Sequence, residues 1–407
     1  MKIKNLNNRY VMSFVYIIFL FPLFPTVFQG SQVHINLIIL ALSLIPLVTL
    51  KKINLKGFHS WVLLYYFTCQ LLLLPAAISD VKSGLFEISS ILSLFRPVLL
   101  YISFLSLFVL LEKCDIEKVL SIVPVLIGIS FLYMIYEVFL LDSVKQFVHF
   151  FYKRELRVNL TGISTTFFGT SYFSGFVFYL LYILSLARLD IKGNMLSYFL
   201  CFLASLLVIL SQSKTMILAL IISTAILFSL SSKKRLRFSL YVFLILAVIV
   251  VLNLTTIFDS LSQFNLNSIK QIKVLIFDTS QSETLNARNL QISYAIEQVY
   301  QRTYFLGVGL TPSKSLETWL ALFIYRYGFL GVLNFSLLCI MICFFSYKII
   351  KRGDLAKGYV GKAGLVLGIT LPITQMSSAM IEFSKMSFFF AFYLALICVT
   401  YNDRIRK

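Results

Sequence analysis

Charge is scarce in this sequence. Only 13% of its 407 residues are Asp, Glu, Lys or Arg, 59% are hydrophobic, and the mean hydropathy is +0.89. A soluble core cannot absorb that much apolar surface, so an ordinary water-soluble enzyme is excluded and a membrane-embedded chain is expected. Acidic residues are the rarer sign, 17 against 36 basic ones. The six cysteines lie in apolar runs or a short basic turn, with no paired Cys-x-x-Cys spacing. That excludes a disulfide framework and a cysteine metal site, and no metal or cofactor is expected. The opening MKIKNLNNRY leads into an apolar run with no small-residue cleavage site, so it reads as a retained first span. There is no internal repeat and no inverted pair of Gly/Pro-broken helices, which argues against a secondary transporter.

What the chain has in abundance is long hydrophobic runs, with 40 Phe and 22 Tyr suited to lipid-facing and interfacial positions. Runs able to cross about 30 Å of hydrocarbon fall near 11–28, 33–50, 58–78, 88–111, 119–141, 173–188, 195–210, 215–230, 238–256, 328–347, 361–380 and 386–401. The expected fold is an all-α integral membrane protein, a single polytopic domain of about twelve transmembrane helices over 1–407. With both termini cytoplasmic, 22 of the 36 basic residues fall on the short inner segments, every one of which is basic. The formal charge of +19 is therefore topology and not a nucleic-acid footprint. On the outer face, most loops are short. Residues 142–172 form a medium loop and 257–316 a large one rich in Asn, Ser, Gln and Thr, the natural place for a site.

Ionisable residues near spans gather in the outer half. Arg96 precedes Pro97, which should kink its helix. Glu137 is near the outer end of the fifth span. Lys214 interrupts LVILSQSKTMILALII at the turn between the seventh and eighth spans, Arg326 lies at the mouth of the tenth, and Glu382 and Lys385 precede the last. Each has a bland reading, a snorkelling side chain or an ion pair such as Glu382 with Lys385 at i and i+3. As a set they suggest an outward-facing basic cavity. Within the large loop, Ile292, Ala295, Ile296 and Val299 share one face at helical spacing and predict an amphipathic helix over 287–301, with Arg288 in its first turn. Gly307 and Gly309 follow in a GVG turn, a weak phosphate-binding signal. The medium loop joins the cations Lys153, Arg154 and Arg157 to a Gly/Ser/Thr-rich stretch with Phe167, Phe168 and Tyr172. Cations there would bind phosphate, while hydroxyls and aromatic faces suit sugars.

The stretches RVNLTGISTTFFGTSYFSG, LSQSKTMILAL, NARNLQISYAIEQVYQRTYFLGVGL and LETWLALFIYRYGFLG occur in this order. Together with the span count and the large loop before the last three spans, the arrangement resembles the Wzy-type O-antigen polymerase and O-antigen ligase superfamily of bacterial envelope-polysaccharide assembly. The resemblance covers about residues 150–350, the flanking spans matching by topology alone. Lys214 stands where the family usually has Arg, which keeps the charge and loses the bidentate fork. Glu317 and Thr318 stand where the ligase branch typically has His and Asn, which favours a polymerase.

The resemblance implies a GT-C-like bundle in the bacterial inner membrane with its site facing the periplasm or exterior. It implies glycosyl transfer between undecaprenyl-pyrophosphate-linked oligosaccharides as donor and acceptor, in contact with membrane lipid and with a chain-length regulator as a further partner. Arg288, Lys214, Arg157, Arg96 and Arg326 would stabilise the leaving pyrophosphate, and Glu317, then Glu297, would be the carboxylate that takes the acceptor proton. A ligase of the same superfamily and a non-enzymatic lipid-linked-oligosaccharide flippase are the alternatives. A dolichyl-type mannosyltransferase would want acidic residues in the first outer loop, which here is QGSQ at 29–32.

Overall fold

The computed structural model describes residues 57–86, 88–112, 114, 116–152, 168, 170–231, 283–310, 312, 316–351, 355–382 and 384–402. The expected spans at 11–28, 33–50 and 238–256 lie outside them. Among the described residues the secondary structure is helical: α1 (Phe58–Lys82), α2 (Ile88–Glu112), α3 (Ile116–Leu120), α4 (Ile122–Phe139), α5 (Leu141–Tyr152), α6 (Ser171–Lys192), α7 (Met195–Leu210), α8 (Lys214–Leu230), α9 (Glu283–Arg302), α10 (Trp319–Lys351), α11 (Leu355–Thr374), a 3-10 turn Met380–Glu382, and α12 (Ser384–Asn402). In hydrocarbon a backbone must bond to itself, which a helix does within one segment.

Among the described residues, five helical stretches are long and apolar enough to cross a membrane: α1, Ser93–Glu112 of α2, Ile116–Glu137 across α3 and α4, α6, and α10. Met195–Leu210, Lys214–Leu230, Gly358–Thr374 and Met386–Asn402 are apolar but shorter. The 16 and 17 residues of α7 and α8 rise only about 24–26 Å. The described residues thus bear out a helical membrane protein, with five long and four shorter apolar helices where nine of the twelve expected runs fall.

α6 and α12 form the centre. Nearly every side chain of α6 from Ser174 to Asp190 and of α12 from Met386 to Tyr401 is buried. On one side α1 and α2 pair with each other and with α12, and α1 packs on α10. On the other, α7, α8 and α11 pack on α6, while α10 and α11 form a close hairpin. Gly361, Gly364 and Gly368 line that hairpin against Ile349, Ser346 and Cys343, the small-residue seam by which helices approach in lipid. Polar contacts tie the centre together: Tyr179 with Thr370, Tyr182 Oη with Thr224 Oγ1 at 2.6 Å, and Tyr393 Oη donating to the Leu180 carbonyl.

Turns follow local chemistry. Gly193, left-handed at φ 60°, ends α6, and Asn194 begins α7 by accepting from the Ser197 amide at 3.0 Å. Between α7 and α8, Gln212 takes φ 54°, Ser213 is the cap, and Lys214 is the first helical residue.

Several boundaries differ from the sequence expectation. The medium loop 142–172 opens with a helix, α5, because Val144 and Val148, one turn apart, bury against Tyr133, Tyr136 and Phe147. α9 begins one turn before 287, so Arg288 sits in its second turn; the Ala295 and Val299 face is buried as expected. α2 runs as one helix through Pro97. α11 stops at Thr374, and residues 375–379 form a turn. The tenth span, expected from 328, starts at Trp319 and continues across a break at Gly328, φ 70° and ψ −170°. Only glycine readily adopts that backbone.

The break exists because another strand of chain fits against it. The Phe329 amide donates to the Phe305 carbonyl at 3.1 Å, and the Val308 amide donates to the Tyr325 carbonyl at 2.8 Å. A Cβ on Gly307 would lie 1.8 Å from the Arg326 carbonyl oxygen, and one on Gly328 would lie 2.0 Å from that of Phe305. Gly307→Ala and Gly328→Ala should therefore remove folded protein in detergent extracts, by size-exclusion yield. Gly128→Ala in α4, with nothing within 4 Å of the added carbon, should be neutral or stabilising by about 0.5–1 kcal/mol.

Candidate functional site

The connections at one end of the bundle converge: the C-terminus of α1, the α7–α8 turn, the N-terminus of α6, the segment after α9, the break in α10 and residues 375–382. Three groups of polar side chains meet there.

The first is buried around Glu382, whose side chain is 7% exposed. Arg326 donates from a terminal guanidinium nitrogen to Glu382 Oε2 at 2.8 Å and from Nε to the Leu310 carbonyl at 2.9 Å. Tyr327 Oη donates to Glu382 Oε1 at 2.6 Å, and Arg96 reaches Oε2 at 3.7 Å. One carboxylate thus serves two guanidiniums and a phenol. Beside them Asp80 accepts from the Leu310 amide at 2.7 Å, and Gly309 lies so close that a Cβ would meet Asp80 Oδ1 at 2.7 Å and Tyr325 Oη at 3.0 Å. The GVG turn is therefore closely packed structure: the Val308 and Leu310 amides already hold Tyr325 and Asp80, and both glycines are required by close approach.

The second group faces outward. Arg288 and Lys214 are half-buried, and the Arg288 charge acts on Lys214. Burial pulls the Arg288 guanidinium below its ordinary pKa, and the Glu317 carboxylate opposes that shift. Glu317 is exposed. Its placement is set by Gln291, one turn beyond Arg288 on α9, whose Oε1 accepts the amides of Glu317 at 3.0 Å and Thr318 at 3.3 Å. Tyr294 stacks on Tyr325 at 6.3 Å between centroids, holding α9 to α10. Lys214 at the first turn of α8 lies where the helix dipole disfavours a cation. Two cations and a helix N-terminus in one place make a field that favours an anion.

The third is a row of hydroxyls under Lys214. Thr215 Oγ1 bonds Ser377 Oγ at 2.6 Å, and the Ser211 and Ser213 side chains crowd Gly175 of α6. Thr318 Oγ1 is buried with no hydrogen-bond partner among the described residues.

Of the residues picked out from the sequence, Arg288 lies within electrostatic reach of both Lys214 and Glu317, and separately Arg96 and Arg326 share Glu382. Glu297 stands apart: it is exposed and accepts from Gln301 at 3.0 Å. Arg157 lies outside the described residues, as does the side chain of Lys385. Glu382 is bonded to Arg326 and Tyr327, while its expected pairing with Lys385 falls on a side chain outside the described residues. Glu137 is buried. Asp80, Gln291 and Tyr327 were not picked out from the sequence. The available signals were an acid at the end of an apolar run for Asp80 and Gln291's i+3 spacing from Arg288.

Fold and site together define a helical membrane protein with a group of basic side chains and a row of hydroxyls at one end of the bundle. A family model, Wzy_C, described as O-Antigen ligase, matches residues 199–336, consistent with the resemblance carried by the sequence motifs. The match covers about a third of the chain and includes Lys214, Arg288, Glu317 and Arg326. No curated protein matches the chain.

Breaking the buried Glu382 pair leaves uncompensated charge, so Glu382→Gln should lower stability by about 3–5 kcal/mol, read as a loss of melting temperature in detergent. Tyr327→Phe, which removes one bond to a charged acceptor, should lower it by about 1.5–3 kcal/mol.

Proposed function

We propose that the protein is a polysaccharide polymerase that joins undecaprenyl-pyrophosphate-linked oligosaccharide units at the outer face of the bacterial inner membrane. What carries this reading is that Arg288 stands within electrostatic reach of Lys214 and of Glu317, inside the segment matched by the family model. In the reaction a hydroxyl of the acceptor unit attacks the anomeric carbon of the donor glycan. The new glycosidic C–O bond forms as the bond to the pyrophosphate oxygen breaks, and lipid pyrophosphate leaves. Charge develops on the leaving group, where Lys214 and Arg288 stabilise it by charge-assisted hydrogen bonds. Glu317 is the carboxylate that takes the hydroxyl proton. Arg326 and Arg96, tied to Glu382, hold the mouth of α10. The acceptor and the finished chain sit on the hydroxyl-rich side by Ser213, Thr215 and Ser377.

A ligase that transfers finished glycan to another acceptor is the second reading, favoured by the description of the matching family. Glu317 and Thr318 at the start of α10 support the polymerase instead.

In a deletion strain complemented with variants, Arg288→Ala and Lys214→Ala should each abolish long-chain polymer on gels and leave single-unit product. Lys214→Arg should restore chains. Normal chain lengths in both alanine variants would overturn the assignment, and loss of all glycan decoration would identify a ligase. The orientation is tested by reporter fusions: residues 192–194 and 348–351 should report cytoplasm, and 212–213 and 304–306 the exterior.

A further inference from the structure

At the opposite end of the bundle, α6 carries a second pair of cations, Arg188 and Lys192. They are one helical turn apart and so share a face. Asp190, between them in sequence, faces elsewhere: it bonds Lys362 of α11, and Ser231 Oγ donates to it at 2.5 Å. The Arg188–Lys192 face lines a cavity of about 90 Å³ among α3, α4, α6, α7 and α11. A single water needs only about 10–15 Å³ on this scale, so the space takes a group of several heavy atoms. Its lining is divided. Arg188, Lys192, Ser121 and Glu117 form the polar part, and Leu184 and Tyr359 belong to the apolar part.

Arg188 Nε is buried with no hydrogen-bond partner among the described residues. A buried guanidinium nitrogen without an acceptor calls for one. Glu117 is exposed and is the cavity's one carboxylate, against two cations. The cavity lies near the C-terminal end of α6 and the start of α4 and α7, where apolar helices meet a basic rim. A phosphate group with an attached apolar chain matches all of this: the phosphate for Arg188 and Lys192, the chain for the leucine and tyrosine surface.

We propose that this cavity binds the phosphate of an anionic phospholipid, in the leaflet opposite the polymerisation site. The chemistry recognised is a phosphate-bearing anion, and the apolar lining selects a lipid over free phosphate.

The test uses the full-length protein purified in detergent. Phosphatidylglycerol, phosphatidylethanolamine or inorganic phosphate is titrated while thermal stability is followed, with bound lipid counted by native mass spectrometry. Wild type should be stabilised by phosphatidylglycerol more than by phosphatidylethanolamine, and inorganic phosphate should have no comparable effect. Arg188→Gln should weaken phosphatidylglycerol binding about tenfold, the loss of one charge-assisted contact. Lys351→Gln, the same charge change outside the cavity, should bind as wild type. Ser121→Phe, which fills the cavity mouth and leaves both cations in place, should also lose the lipid and covers the case in which Arg188→Gln fails to fold. Unchanged binding in Ser121→Phe, or in a folded Arg188→Gln, would overturn the proposal. So would equal stabilisation by inorganic phosphate, which would make the occupant a soluble anion.

Discussion

The contact between residues 305–310 and the break in α10 is the constraint on which the site end depends. Two backbone bonds, Phe329 to Phe305 and Val308 to Tyr325, hold an extended segment against a helix that opens at Gly328. The opening presents the Arg326 side chain to Glu382 and to the Leu310 carbonyl, and Asp80 closes the far side by accepting the Leu310 amide. α1, α2, α10 and the segment leading into α12 are thereby tied at one end. The arrangement tolerates no side chain at 307, which would strike the Arg326 carbonyl.

With this frame in place, the cations divide into two kinds. Arg326 and Arg96 are committed to Glu382 in a buried network, where removal of a partner leaves unbalanced charge. Lys214 and Arg288 are half-buried, and each lies in an environment that does not favour a cation: Lys214 at a helix N-terminus, Arg288 partly desolvated. Placing charge where it is disfavoured is a signature of functional sites. The Gln291 contact to the amides of Glu317 and Thr318 fixes the one acid that answers Arg288. The paired charges of the Glu382 network stand apart from the half-buried Lys214 and Arg288.

Much of this was legible in the sequence. The apolar runs located nine helical stretches that the described residues contain, and the Ile292, Ala295, Ile296 and Val299 spacing located α9. Lys214 stood out because it interrupted an apolar stretch. The bond from Arg326 to Glu382 was not legible, because only neighbours at helical spacing are visible in a linear pattern. The two are 56 positions apart, and Asp80 meets Leu310 across 230. α5 was read as loop although Leu141, Val144, Phe147, Val148 and Phe151 recur at helical spacing, because the stretch is short and interspersed with Asp142, Lys145, Gln146 and His149.

By itself the sequence pointed to a membrane chain, located most of the helices that the described residues contain, and set the expectation that its basic excess falls on short inner connections. Those are consequences of hydrophobicity and period, properties of each segment alone. Only the tertiary structure decided which charges are neutralised and which remain exposed to a ligand, and whether the GVG turn cradles phosphate or packs against α10. Those outcomes depend on which helix ends meet in space. A charge's energy in a membrane protein is set by that distant partner and by burial, and neither is written in its neighbours along the chain.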